Sequence, residues 1–295
     1  MFETEKEALR WYERQPRAIT KSFTDSIRWD EVKNHPLNPA FIPVLFYMRD
    51  VESYTDVYFR ELQRTPTGRN PVIKQFMERW VAEEADHGDL LNRFLSEAGV
   101  PIEENWQAKA KSAIPLRYTL WNYVTSRITN VFGRHFSGTH MVWGAINELT
   151  TLQGYRRLWQ AAEHPTLALI LRAIAREESA HYKFYWSIAR LKLRGSKLAR
   201  GLARSIISRF WSPVGQGTKP QSETDYVIAT LFGGQRGVSF FDKNVSQKIE
   251  RLPGLDNLKT MTGRIAGISL PAASEVFYAL PSNGSATLSE AVESA

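Results

Sequence analysis

The chain has 295 residues, 43% of them apolar, with 38 Lys and Arg against 31 Asp and Glu and no cysteine. That is enough apolar material for one large core, and the missing thiols exclude disulfides, thiolate catalysis, iron–sulfur clusters and cysteine-based zinc sites. Any metal must therefore be held by carboxylate and imidazole, while the formal net charge of +7 points to an acidic partner or surface without naming it.

The opening MFETEKEALR is acidic and lacks the apolar core of a signal peptide. Residues 1–38 suggest a short helix followed by an irregular arm. Helical periodicity then dominates to about residue 194, with no sustained strand-type alternation. It predicts four long helices over 39–64, 70–97, 138–163 and 165–193, separated by TPTGRNP (65–71), GRHFSG (133–138) and the His164-Pro165 pair. A further helical stretch is expected over 112–131. The longest apolar runs, such as AFIPVLFYM (40–48), are too short to span a bilayer, so no transmembrane segment and a cytoplasmic location are expected. After the bundle (39–211), whose end is a basic segment (190–211), comes a Pro/Gly/Gln-rich linker (212–222). A C-terminal extension (223–280), weakly helical over 223–265, precedes a small polar tail (281–295) expected to be disordered.

Stepped alternately by four and three, the second helix presents Ile73, Met77, Trp80, Glu84, His87, Leu91 and Phe94. The fourth presents Leu167, Leu171, Ile174, Glu178, His181, Tyr185 and Ile188. Both are core-facing seams interrupted at the centre by Glu-x-x-His, and residues three apart share a face, so each motif can bring a carboxylate and an imidazole to one point. The helix before each motif carries one seam glutamate: Glu52 after Leu45 and Met48, and Glu148 after Met141 and Ala145. Glu148 is the only acidic residue between 105 and 162. The chain thus contains a doubled unit, Glu-x31-Glu-x-x-His and Glu-x29-Glu-x-x-His, a spacing that suits one helix, a turn and the return along an antiparallel neighbour.

Four carboxylates and two imidazoles in a core need counter-charge, because an isolated buried ion is strongly destabilising. Two divalent cations balance four carboxylates, and this mixture of hard oxygen and imidazole nitrogen suits iron or manganese. A Glu from each of two helices plus Glu-x-x-His from each of two others is the ligand set of ferritin-like dimetal bundles. The expected fold is therefore all-α, a ferritin-like four-helix bundle with additional helices. Glu52, Glu84, His87, Glu148, Glu178 and His181 are the candidate ligands, with Asp56, one turn beyond Glu52, as a competitor for the first position. Glu83 and Glu177 sit off the seam, either as solvated residues or as acceptors for the free N–H of the ligand imidazoles. His35, His135, His140 and His164 fall outside the pattern and suit loop or capping roles.

Four segments carry a family resemblance. WVAEEADHGDLLNRFLSEAG (80–99), with its Glu-Glu-x-x-His-Gly block, resembles the second ligand helix of the soluble acyl-acyl-carrier-protein desaturases. RDVESYTDVYFRELQRT (49–65), NELTTLQGYRRL (147–158) and AIAREESAHYKFY (173–185) resemble the first, third and fourth. The resemblance covers about 40–190 and favours Glu52 over Asp56. It implies a diiron centre, two Fe(II)/Fe(III) ions with manganese as an alternative at one position. It also implies an O2-dependent enzyme that introduces a cis double bond into an acyl chain on acyl carrier protein, with ferredoxin as electron donor and a homodimeric assembly. Thr151 falls where the family has a threonine near the oxygen-binding side, and Trp29 corresponds loosely to a tryptophan on its electron-entry route. Phe136, Met141, Trp143 and Trp121 are candidates for a substrate channel or, equally in keeping with helical spacing, for core packing. A related diiron oxygenase, hydroxylating a chain or oxidising an amine, and an iron-handling ferritin-like protein remain alternatives.

No acid occurs from 179 to 222, whereas 190–211 holds seven cations. Lys197, Arg200 and Arg204 share helical spacing, with Arg194 just before them. Such a ridge can receive an acidic carrier protein, lie on an anionic membrane or simply be a solvated helix face. No nucleic-acid motif accompanies it. With the family resemblance, carrier-protein docking at Arg194, Lys197, Arg200 and Arg204 is the favoured expectation.

Overall fold

The computed structural model describes residues 2–116 and 129–271, and within them the chain is helical with no strand. The arm before the bundle forms α1 (Glu5–Glu13) and α2 (Lys21–Ser26), capped by the Thr4 and Thr20 hydroxyls, and a 3-10 turn (Trp29–Asn34). The first predicted long helix is two, α3 (Ile42–Glu52) and α4 (Thr55–Gln63). The break has a local cause: Ser53 Oγ donates to Asp50 O (2.6 Å) and Thr55 Oγ1 to Glu52 O (2.8 Å), hydroxyl back-bonding of the kind that bends helices. Glu52 is thereby the last residue of α3.

The other three long helices form close to the expected limits. They are α5 (Pro71–Glu97), then, after the short α6 (Trp106–Ser112), α7 (Ser137–Ala161) and α8 (Pro165–Arg194). Asn70 caps α5 by accepting from Val72 N and Ile73 N, and Pro71 occupies the position where its missing N–H costs nothing. His164 caps α8 in the same way, accepting from Leu167 N. Most of the predicted helix over 112–131, including Trp121, and the tail over 281–295 lie outside the described residues.

α7 and α8 pack along each other, α3 and α4 lie on α5, and α1 rests against α8 and α5. The apolar seams meet in one core that includes Ile73, Met77, Leu91, Ile146, Leu152, Ile174 and Tyr185. α9 (Lys197–Phe210) covers α7 and α8, burying Ala199, Ala203 and Ile207 and leaving Leu198 and Phe210 about half exposed. α10 (Gln221–Phe232) reaches back to α3, and α11 (Gly234–Phe241), α12 (Gln247–Ile249) and α13 (Thr260–Ser269) complete the C-terminal region.

The segment between α9 and α10, expected to be a linker, is fastened to α3. Tyr47 Oη donates to Val214 O (2.6 Å), and Lys219 Nζ pairs with Asp50 (2.9 Å), whose other oxygen holds Arg49 (2.6 Å). Gly215 makes this approach feasible, since it has φ +85° and a Cβ there would lie 2.2 Å from Tyr47 Oη.

His140, at the start of α7, bonds Thr67 Oγ1 through Nδ1 (2.7 Å) under the Phe136 ring, and burial pushes its pKa down to about 4. An unfolded histidine takes its proton below about 6.5, the folded one only below about 4. Stability from this group is therefore intact above pH 6.5 and lost as pH falls toward 4, by about 2 to 3 kcal/mol. In urea denaturation at pH 7 and pH 4.5, His140→Gln should show a smaller acid penalty than the parent, and equal penalties would refute this.

A buried carboxylate and imidazole centre

Glu84 and His87 project from the middle of α5, Glu178 and His181 from the middle of α8, Glu148 from α7 and Glu52 from the end of α3. All six are buried, with at most 6% of their surface exposed. The structure gathers them into two groups: Glu52, Glu84, His87 and Glu178, and Glu84, Glu148, Glu178 and His181. Within each group one candidate ligand atom per residue lies within 4.8 Å of every other. Glu84 and Glu178 belong to both groups. Gly88 follows His87 because α3 comes close there: a Cβ would meet Arg49 O at 3.3 Å and Glu52 Cβ at 3.6 Å. Asp56 lies elsewhere, paired with Arg60 (3.1 Å) and Lys111 (3.1 Å).

The two imidazoles are braced crosswise. His87 Nε2 on α5 meets Glu177 Oε2 on α8 (3.0 Å), and His181 Nε2 on α8 meets Glu83 Oε2 on α5 (2.7 Å). In a neutral ring whose Nε2–H is donated outward, Nδ1 presents its lone pair inward. His87 Nδ1 is 3.2 Å from oxygens of Glu84 and of Glu178, and His181 Nδ1 is 3.0 Å from Glu84 and 3.4 Å from Glu148. Lone pairs facing ionised oxygens repel unless a cation lies between them. Consistently, Glu148 Oε2, Glu178 Oε1 and His181 Nδ1 are buried with no hydrogen-bond partner, a costly condition for polar atoms.

The electrostatics of the protein groups alone show the same demand. Burial, then the charges of Glu84 and Glu178, push the Glu52 carboxyl well above its ordinary range, and burial with Glu178 does the same to Glu148. Burial opposes the charge on His87, but the Glu84 charge and bonds to Glu177, Glu178 and Glu84 outweigh it and raise its pKa. Protons are thus drawn in where a divalent cation at each group would supply the missing charge and occupy the orphaned donors. The residues present fit two such ions.

Tyr155, buried on α7, donates to Glu52 Oε1 (2.5 Å), a contact between residues 103 apart in sequence. The N-terminal arm also reaches the centre, through Tyr12, Arg17, Ala18 and Ile19 against Glu83 and Glu177. Nothing in the local sequence announced this. The Trp29 indole N–H donates to Thr24 O (3.1 Å) and its ring lies under Arg93.

A cavity of about 40 Å³ for water-sized occupants abuts Glu52. Its walls come from α3 (Met48, Val51), α7 (Thr150, Thr151, Gly154), Val214 and α10 (Val227, Ile228, Leu231, Phe232). Thr151 is therefore at the cavity beside the centre, and so is Thr150, whose buried hydroxyl has no hydrogen-bond partner. Phe136, Met141 and Trp143 do not line it. Met141 and Phe136 are core residues, and Trp143 packs against the core from its edge.

Among the described residues, a helical bundle brings two sets of glutamate and histidine together at one buried point, groups that could hold metal ions. The sequence model of the fatty acid desaturase family matches residues 53–204, just over half of the 295. The chain belongs to that family, which makes it an oxidoreductase in kind and implies O2 and an electron donor. The match contains five of the six gathered residues and begins immediately after Glu52, and the α10 wall of the cavity lies beyond it. No curated protein matches the chain. No described helix is long and apolar enough to cross a membrane.

If the two groups hold ions, divalent metal binds the folded chain and not the unfolded one, so Fe(II), Mn(II) or Co(II) at 100 times its dissociation constant should add about 2.7 kcal/mol of stability per ion bound. Anaerobic thermal unfolding would register this as a higher Tm. Glu178→Ala, which removes a residue common to both groups, should abolish the increase. A parent protein indifferent to all three ions would contradict the reading.

Proposed function

We propose that this protein is a diiron, O2-dependent desaturase acting on an acyl chain carried by acyl carrier protein. The observation that carries the proposal is the junction of two features, the paired ligand groups and a small apolar cavity beside Glu52. Glu52, Glu84, His87 and Glu178 would hold one ion and Glu84, Glu148, Glu178 and His181 the other, with Glu84 and Glu178 shared. When bound, the iron pair supplies O2 activation. Desaturation removes two hydrogens from adjacent carbons and, with two external electrons and two protons, reduces O2 to two waters.

The chain's own residues supply the conditions. Met48, Val51, Val227, Ile228 and Leu231 line the cavity with hydrocarbon, so an acyl segment gains by leaving water, at about 0.8 kcal/mol per buried CH2, and water is kept from the reacting carbons. Tyr155 fixes one oxygen of Glu52 and leaves the other for the metal. Thr150 and Thr151 bring hydroxyls to the same cavity lining as Glu52 and would hold or pass a proton there. Gly154 keeps the cavity open, since a Cβ there would meet Leu231 Cδ1 and Met48 Cε, both at 3.2 Å.

Iron-loaded protein supplied with O2, reduced ferredoxin and a panel of acyl carrier proteins should yield products lighter by two hydrogens. Gly154→Leu should shift preference toward shorter chains at unchanged iron content. Products heavier by one oxygen would move the reaction to hydroxylation, and no acyl product would overturn the substrate class.

For carrier docking, support comes from the basic surface where α8 meets α9. Arg194 and Lys197 are exposed there, and Arg194 lies 3.5 Å from Glu3. Arg200 and Arg204 also serve the fold: Arg200 donates to Leu193 O (3.0 Å), closing α8, and Arg204 to Gly254 O (3.1 Å) and Asp256 O (2.9 Å). Replacing Arg194 and Lys197 by Gln is thus the cleaner test. Carrier-protein affinity should fall and its salt dependence should flatten, with Tm unchanged. Equal affinity and salt slope would move the docking surface elsewhere.

A further inference from the structure

We infer that Arg17 is a positioning residue for both halves of the metal centre, and that the N-terminal arm is part of that centre rather than an appendage to the bundle. The inference rests on the dimetal reading above. Glu83 and Glu177 divide their oxygens in the same way. In each, Oε2 receives an imidazole N–H, from His181 and His87 respectively, while Oε1 turns outward to the arm. Arg17 Nε stands between the two outward oxygens, 3.0 Å from Glu177 Oε1 and 3.2 Å from Glu83 Oε1. One guanidinium therefore joins two carboxylates that reach the centre from different helices and orient different imidazoles.

The neighbouring contacts are unequal, and that inequality makes the inference testable. Glu177 Oε1 also accepts Ala18 N (2.7 Å) and Ile19 N (3.1 Å), backbone bonds that require the arm to lie in place. Glu83 Oε1 instead receives Arg79 Nε (2.8 Å), while the Tyr12 hydroxyl donates to Glu83 Oε2 beside His181. Tyr12 thus serves only the His181 half, and Arg17 serves both. Arg17 has a further anchor in Asp86 (2.5 Å), so its guanidinium is held on three sides. A carboxylate that is itself fixed holds its imidazole in one tautomer, with Nδ1 free of its proton and aimed inward. Loss of such outer partners typically weakens metal binding 10- to 100-fold.

The full-length chain titrated with Co(II) under anaerobic conditions tests this, following visible ligand-field absorption together with Tm of the metal-free protein. Arg17→Gln should weaken both binding steps by about 10- to 100-fold and alter the absorption bands of both ions. Tyr12→Phe should weaken one step only, and Arg17→Lys, which keeps the charge but not the planar fork, should restore part of the loss. Wild-type affinities and bands in Arg17→Gln, with or without a lower Tm, would overturn the inference and leave the dimetal reading standing. If Arg17→Gln does not fold, Arg17→Lys and Tyr12→Phe decide: two unaltered binding steps in both variants would overturn it. A parent chain that takes up fewer than two Co(II) ions would instead overturn the dimetal reading, and this inference with it.

Discussion

Four buried carboxylates around two buried imidazoles need protons or cations to offset their charge, and the rest of the structure is arranged around that need. In a low-dielectric interior, like charges at 3 to 4 Å cost far more than apolar packing around them returns. The fold accommodates them by symmetry. Each half of the bundle contributes one glutamate from one helix and a Glu-x-x-His pair from the next, so negative charge is distributed around two points instead of one. Glu84 and Glu178, common to both groups, tie the points together. Two divalent cations would make the cluster neutral, and their uptake would then contribute to folding.

Around this centre the structure is arranged in shells of decreasing symmetry. The crossed pairs His87 with Glu177 and His181 with Glu83 repeat the doubled motif. Outside them the repeat ends: Tyr155 supports Glu52, and the arm supports Glu83 and Glu177 from one side only. The cavity lies on another side, between α3, α7 and α10, and meets the centre at Glu52 alone among the gathered residues. A substrate approaching there would meet one half of the centre first, a functional asymmetry built on a symmetrical core.

The long helices and the six gathered residues were legible in the sequence because both depend on short-range periodicity. Residues three and four apart share a helix face whatever the remainder of the chain does, so a glutamate and a histidine in seam register had to point inward. The turns before α5 and α8, each ending in proline, were legible for the same local reason. What escaped involves contacts remote in sequence. Arg17 meets Glu177 across 160 residues, and Lys219 meets Asp50 across 169; no periodicity relates such pairs. The segment over 212–222 has the composition of a loose linker, yet Tyr47, Asp50 and Gly215 bind it to α3. The candidate channel residues Phe136, Met141 and Trp143 do not line the cavity at Glu52, and apolar character alone does not tell a channel wall from core packing. The split of 39–64 at Ser53 depended on hydroxyl back-bonding, which spacing does not reveal.

The measurement that tests the central claim most directly is X-ray diffraction from iron-soaked crystals, with data collected on either side of the iron absorption edge. Two anomalous peaks among α3, α5, α7 and α8, one against Glu52 and His87 and the other against Glu148 and His181, with Glu84 and Glu178 touching both, are the predicted result. A single peak, or peaks confined to the protein surface while the buried cluster stays free of metal, would contradict it.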